Sequence, residues 1–123
     1  MKLNLLFENV EYQAFEKYIL KKYDGLKAFH IIEWNDDIEL NSIIVEKDRQ
    51  KEGIGKQVME ELIKFADHKR KRLILHVGLN DKVHGTTSRG RLVTFYKQFG
   101  FVENKNRQKD FTITHGMYRD PKS

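Results

Sequence analysis

Apolar residues recur along this chain in two rhythms. Val10, Ala14, Phe15, Tyr18 and Ile19 follow helical spacing, which predicts an amphipathic helix over residues 10–23. Asn9 suits its N-cap and Gly25 its C-terminal stop. Residues 2–7 read as a short strand or an ordered lead-in. Residues 28–34 are rich in β-branched and aromatic side chains, as strands are. The Asn35-Asp36-Asp37 turn leads to a second strand that starts at residue 38 and ends at 45 or 46, so the two form a hairpin. Residues 46–52 are a polar loop ending at Gly53. From Ile54 the rhythm is helical again, with Ile54, Val58, Leu62, Phe65 and Ala66 on one face. The basic run His68-Lys69-Arg70-Lys71-Arg72 closes this helix, where positive charge complements the helix dipole.

An apolar strand follows at 73–77, then a polar loop at 78–88. Leu92, Phe95, Tyr96 and Phe99 mark another helix, with Thr87 or Ser88 as N-cap and Gly100 as stop. Phe101-Val102 begins a strand, 104–110 is a polar turn, and 111–118 reads as the last strand. The order βαββαβαββ predicts an α/β (α+β) fold with a mixed sheet. It contains at least one strand–helix–strand crossover, over 38–45, 54–70 and 73–77.

Length and composition narrow the setting. The chain has 123 residues, no internal repeat and a single proline, Pro121, so residues 1–123 read as one domain. Eight Phe, five Tyr and one Trp are enough aromatic side chains to build a core. The absence of cysteine excludes disulfides, thiolate metal sites and a Cys nucleophile. The five histidines lack ligand spacing, so no metal is expected. No apolar run approaches the roughly 20 residues that span a bilayer, and the N-terminal apolar stretch is too short for a signal peptide. A soluble, cytoplasmic protein is the expectation. The net charge of +5 favours an anionic partner (nucleic acid, a membrane surface or a phosphorylated small molecule) but serves solubility equally well.

The loop at 50–55 separates these partners. Gly53 and Gly55 stand at a strand-to-helix junction, where a backbone without Cβ atoms can approach a ligand closely. The free amides of the helix's first turn then face an anion, and the helix dipole supports it. Arg49, Lys51 and Lys56 add charge beside it. A Walker A loop needs Gly at position 50 and Ser or Thr at 57, where Gln50 and Gln57 stand. A dinucleotide fingerprint needs a third Gly at 58, where Val58 stands. The pattern Gln/Arg-x-x-Gly-x-Gly/Ala is matched fully by Gln50-Lys51-Glu52-Gly53-Ile54-Gly55.

Residues 38–66 therefore resemble the central motif of the GNAT-type N-acetyltransferase superfamily. Phe95-Tyr96-Lys97-Gln98-Phe99-Gly100-Phe101 is similar to that family's Leu-Tyr-x-x-x-Gly-Phe signature, and Met117 and Arg119 suit its last strand. The resemblance covers about half the chain. It implies a mixed, mostly antiparallel twisted sheet flanked by helices, with splayed central parallel strands that bind acyl-CoA. It implies acetyl-CoA as co-substrate and direct attack of a primary amine on the thioester. Backbone groups of Ile43, Ile44 and Val45 would meet the pantetheine arm. Gln50, Lys51, Glu52, Gly53, Ile54, Gly55 and Lys56 would hold the pyrophosphate. Tyr96 matches the family's leaving-group acid. Glu39, eleven residues before Gln50, matches a catalytic glutamate of some members.

If Ile43 and Val45 face the cofactor, as the resemblance implies, Glu39 is expected to face it too. Period-two alternation puts Glu39, Asn41, Ile43 and Val45 on one strand face. His76, Glu46 and His115 are lesser candidates for the base. Two departures from the family stand out. Arg89 occupies the position of a common pantetheine-binding Asn, and Asn80 precedes an apparent insertion at 81–89, from which Arg89 or Arg91 would reach a CoA phosphate. The N-terminal region has one clear helix, which implies an acceptor site that is open or completed by a partner chain, as in a homodimer. The alternatives are a CoA-binding module without catalysis and a small basic nucleic-acid-binding protein built on 68–72; nucleic acid is the weaker, because it leaves 50–55 and 95–101 unexplained. The acceptor stays open among protein lysine, protein N-terminus, polyamine and other small amines. Asp36, Asp37 and Glu39 form a local acidic group that would draw a cationic one.

Overall fold

In a computed structural model, which describes residues 2–77, 81–82 and 89–122, the chain folds as a mixed sheet flanked by helices. The order of elements is α1 (Lys2–Lys22), β1 (Leu26–Glu33), β2 (Asp37–Val45), α2 (Ile54–Lys69), β3 (Arg72–Leu75), β4 (Asp81–Lys82), α3 (Arg89–Lys97), β5 (Val102–Glu103) and β6 (Met117–Arg119). Short 3-10 turns lie at Lys47–Glu52 and Asn106–Gln108. The sheet order is β1-β2-β3-β6-β5, with β4 pairing β2 off this path. β2 and β3 are parallel, while β1–β2, β3–β6 and β5–β6 are antiparallel. No helix among the described residues is long and apolar enough to cross a membrane.

Three expected elements differ. The strand or lead-in at 2–7 and the helix at 10–23 are one helix, α1, and Asn9 lies inside it rather than capping it. Its inner face is Tyr12, Phe15 and Ile19, whereas Tyr18 is half-exposed. Phe15 stacks on Phe65 of α2 at 4.2 Å, and Tyr12 meets the same ring edge-on at 5.2 Å. These rings fix α1 and α2 on the same face of the sheet. The expected last strand at 111–118 pairs only at Met117–Arg119. Within the expected loop at 78–88, Asp81 and Lys82 pair in parallel with Ile43 and Ile44. Thr87 and Ser88, the expected caps of α3, lie outside the described residues.

Core residues come from each of the long elements. Ile38, Leu40, Ile43 and Val45 of β2, Leu73 and Leu75 of β3, and Val58, Leu62 and Ala66 of α2 are all buried. Gly25, with φ of 97°, ends α1 and turns the chain into β1. A side chain there would meet Arg49 and Ile54 at 3.0 Å, so this glycine also permits a close approach.

Arg119 ties the C-terminal strand to both outer helices. It is 5% exposed. Its guanidinium donates to both carboxylate oxygens of Asp67 on α2, at 2.8 and 3.3 Å, and to the carbonyl of Phe99 after α3, at 2.8 Å. Burial pushes the Asp67 carboxyl up, but the bonds from Arg119 and the amide of Lys122 outweigh it and hold the group below its ordinary value.

Candidate functional site

The strand-to-helix junction forms as the glycine pattern requires. After β2, the amide of Glu46 donates to the Gly25 carbonyl at 2.8 Å and the chain makes its 3-10 turn. Gly53 adopts φ 81° and ψ 14°, in the left-handed region. Nothing lies within 4 Å of where its Cβ would stand, so the glycine is required by its dihedral and not by crowding. The first α2 bond inside the helix runs from Gln57 N to Gly53 O at 3.1 Å. The amides of Ile54, Gly55 and Lys56 precede it and find no carbonyl one turn back. Gly53, at the N-cap position, offers no side chain to cap them. They carry the positive end of the helix dipole.

Side chains around the loop divide into two groups. Lys51 and Lys56 are exposed. Arg49 is turned away: it donates to Glu52 at 2.9–3.2 Å and to Asp24 at 2.9 Å. Gln50 donates to the Val45 carbonyl at 3.1 Å and braces the end of β2.

β2 contains the feature that orders the rest of the site. Its register with β1 runs Phe29↔Ile43 and His30↔Ser42, then jumps to Ile31↔Leu40. Asn41 is the extra residue of a β-bulge. Directly opposed residues share a face. Phe29 and Ile31, two apart on β1, therefore set Ile43 and Leu40 on the same side, toward α1 through Phe15 at 6.1 Å. Glu39, opposed to Ile32, points to the other side. The expected alternation of Glu39 with Ile43 and Val45 on one face is thus wrong, because the bulge reverses parity at Asn41.

The parallel ladder between β2 and β3 stops at this bulge, at Leu40 and Leu75. β2 next pairs with β4, through Ile43 and Ile44. These are two of the residues expected to offer backbone to a pantetheine arm. β4 occupies that side of β2, so a ligand laid along it would compete for the same groups.

Glu39 sits in a built cluster. It is 8% exposed. Its Oε1 accepts from Trp34 Nε1 at 3.1 Å and pairs with His115 Nε2 at 3.0 Å. Among the described residues, its Oε2 has only Asn41 Nδ2 at 3.5 Å, the outer limit of a hydrogen bond. Burial raises the pKa of Glu39, yet the bonds from His115, Trp34 and Asn41 win and keep it below the ordinary glutamate range. The ring of His76, after β3, stacks on His115 at 4.2 Å.

The loop that carries His115 is held by Asn104, which sequence reasoning passed over. Asn104 is buried; its Nδ2 donates to the carbonyls of His115 at 2.9 Å, Asp110 at 3.3 Å and Ile113 at 3.4 Å. Its Oδ1 accepts from the Asp110 amide at 2.6 Å, and its own amide donates to Gly116 O at 2.8 Å.

Tyr96 lies in α3 and is fully buried, with Phe95 and Phe101 edge-on at 5.2 and 5.7 Å. Arg89 opens α3 and is exposed; its guanidinium stands 3.8 Å from the Cβ position of Gly116, beside the His115 loop. Lys82, His84, Thr86, Thr87 and Ser88 of the expected insertion have no described side chain.

Of the acidic group expected at the hairpin, Asp37 has a cationic partner, and the neighbouring Glu33 has another. Asp37 pairs with Arg72 at 2.7 Å and Glu33 with Lys71 at 3.2 Å. Arg72 also bonds Asp110, whose carboxyl is held down to about 2 by the hydroxyl and amide of Thr112 and then by Arg72. These pairs engage Lys71 and Arg72 of the basic run, in which Lys69 also bonds Glu11.

A family model described as an acetyltransferase (GNAT) domain matches residues 15–103. The match takes in the bulged strand, the glycine loop and Tyr96. No curated protein matches the chain.

Proposed function

We propose that this chain, which belongs to the acetyltransferase (GNAT) family, transfers the acetyl group of acetyl-CoA to a primary amine by direct attack on the thioester. The observation that carries this reading is the unit β2–loop–α2. One end of it holds a pinned carboxylate, Glu39, and the other holds three first-turn amides behind Gly53.

The pyrophosphate of the co-substrate meets the amides of Ile54, Gly55 and Lys56, with Lys51 and Lys56 beside it. The pantetheine arm follows β2 back toward the bulge and replaces β4 at Ile43 and Ile44. The amine nitrogen attacks the carbonyl carbon: an N–C bond forms, the C–S bond breaks, and the nitrogen gives up a proton. An alkylammonium has a pKa near 10.4 and a carboxylate one near 4, so Glu39 does not deprotonate the resting ammonium efficiently. It accepts the proton as the nitrogen becomes acidic during attack. Tyr96 donates to the departing sulfur. A phenol near pKa 10 facing a thiol near 8.5 stabilises the thiolate by a hydrogen bond more than by full transfer.

The test is release of free thiol when acetyl-CoA is mixed with a panel of primary amines, including a lysine peptide and small aliphatic amines. Turnover with at least one amine supports the reading; cofactor binding with no turnover on any amine makes the chain a binding module. Tyr96→Phe should keep the fold, since the ring and its two aromatic contacts remain, and lower kcat about 10²-fold. Unchanged kcat would remove Tyr96 from the mechanism. Gly53→Ala should cost about 1 kcal/mol of stability through its left-handed dihedral. It should also weaken acetyl-CoA binding, read by calorimetric titration beside urea denaturation; wild-type affinity would show that the loop amides do not hold the cofactor.

Three of the five residues of the basic run, Lys69, Lys71 and Arg72, pair with Glu11, Glu33, Asp37 and Asp110, which favours the acetyltransferase reading over a nucleic-acid role.

A further inference from the structure

We infer that His115 is a positioning residue for the proposed proton acceptor: with Trp34 it fixes Oε1 of Glu39 and leaves Oε2 as the oxygen that meets the acceptor's amine. This rests on the acetyltransferase reading and on Glu39 as its base.

The asymmetry of the carboxylate carries the argument. Oε1 holds two partners, Trp34 Nε1 at 3.1 Å and His115 Nε2 at 3.0 Å. Among the described residues Oε2 holds one, at 3.5 Å. A carboxylate oxygen has room for two good donors. Oε1 is therefore filled and Oε2 is open to an incoming N–H. A free carboxylate would rotate between equivalent states; this one is clamped at one oxygen from two directions.

His115 is itself held on three sides. Its carbonyl is bonded by Asn104, its ring stacks on His76, and its Nε2 is engaged by Glu39. Its Nδ1 is buried and finds no partner among the described residues, so Nε2 is the nitrogen that acts. Glu39 is ionised at neutral pH, which makes Nε2 the donor. Asn104 and the loop at 109–116 have a plain purpose in this arrangement. They bring an imidazole N–H from beyond β5 onto a carboxylate of β2.

The titratable groups around Glu39 are few. His115 lies at hydrogen-bond distance and His76 stacks behind it. The Lys71–Glu33 pair lies beside Trp34, whose carbonyl Lys71 also bonds, and Arg72–Asp37 closes the same turn. Loss of the His115 bond removes part of what holds the Glu39 pKa down, while burial still pushes it up. The acid limb of kcat/KM then moves to higher pH.

The experiment compares kcat, KM and pH profiles of four enzymes: wild type, His115→Phe, His115→Gln and Glu39→Gln. His115→Phe should lower kcat about tenfold, leave KM for acetyl-CoA unchanged and shift the acid limb upward. His115→Gln, whose amide N–H donates from nearly the same place as Nε2, should restore most of both. Trp34→Phe removes the other donor from a half-exposed position and should shift the limb in the same direction; it stands in if His115→Phe fails to fold. A wild-type profile in His115→Phe, or a Gln variant as impaired as the Phe variant, overturns the positioning role while an inactive Glu39→Gln keeps the base. A fully active Glu39→Gln overturns the base itself.

Discussion

Glu39→Gln should lower kcat/KM by about 10²–10⁴, the usual worth of a positioned proton acceptor. It should do so without unfolding the chain. The amide oxygen of Gln still accepts from Trp34 and His115, so the buried cluster stays satisfied. Only the Oε2 position changes, from an acceptor to an N–H₂ donor, and among the described residues that oxygen's partner is Asn41 Nδ2 at 3.5 Å. The effect should fall on kcat more than on KM for acetyl-CoA, because the cofactor is held eleven or more residues further along, at the glycine loop. The pH profile gives a second reading. Glu39 is held below the ordinary glutamate range by its donors, so the wild-type acid limb lies low. That limb should vanish in the Gln variant, while the limb due to the amine's own deprotonation remains. Retention of full activity across pH would show that solvent carries the proton instead.

Arg119→Ala should destabilise the fold by about 3 kcal/mol, the lower part of the range for breaking a buried pair, because Asp67 keeps some contact with water. For a chain of this length that is a fall in Tm of roughly 10 °C. Three groups lose a bond at once: both Asp67 oxygens, of which Oδ1 keeps the Lys122 amide, and the Phe99 carbonyl at the end of α3. The penalty should depend on pH in a fixed direction. Asp67 is lowered in the folded state, so its ionised form adds stability above the unfolded carboxyl value near 3.9, and this is lost as pH falls through the lower folded value. The difference in stability between wild type and variant should therefore narrow below about pH 4. An acid-independent difference, measured by urea denaturation at pH 7 and pH 3, would show that the loss comes from packing of the Arg119 stem.

The glycine loop and the Tyr96 helix were legible in the sequence because their signals are local. A glycine pair at a strand end, a helical stripe and a glycine stop each lie within a few residues of what they shape. The partner of Glu39 was not legible in this way. His115 lies 76 residues away, in a stretch whose Phe111, Thr112, Ile113 and Thr114 read as strand. The stretch does not pair with β3 because Asn104 captures its carbonyls before Met117, and no propensity scale registers one buried amide. Residues 2–7 failed for a different reason. Their apolar run fits either period, and it extends α1. Glu39 was found by an argument whose geometry was wrong: alternation linked it to Ile43, whereas the bulge separates them and its neighbours on β1 and in the His115 loop make the site.

The bulge also changes what a gap in this strand means. Asn41 is the residue of β2 that has no counterpart on β1, since His30 faces Ser42 and Ile31 faces Leu40. Deleting it would close the ladder into a regular one, in which Leu40 stays inward, Ser42 outward and Ile43 inward. The glycine loop would still leave the sheet from the same face. What would be lost is the local bend of the strand and the Asn41 amide beside Oε2 of Glu39. Residue 41 is thus a position that can be removed without turning the apolar end of the strand to the wrong side.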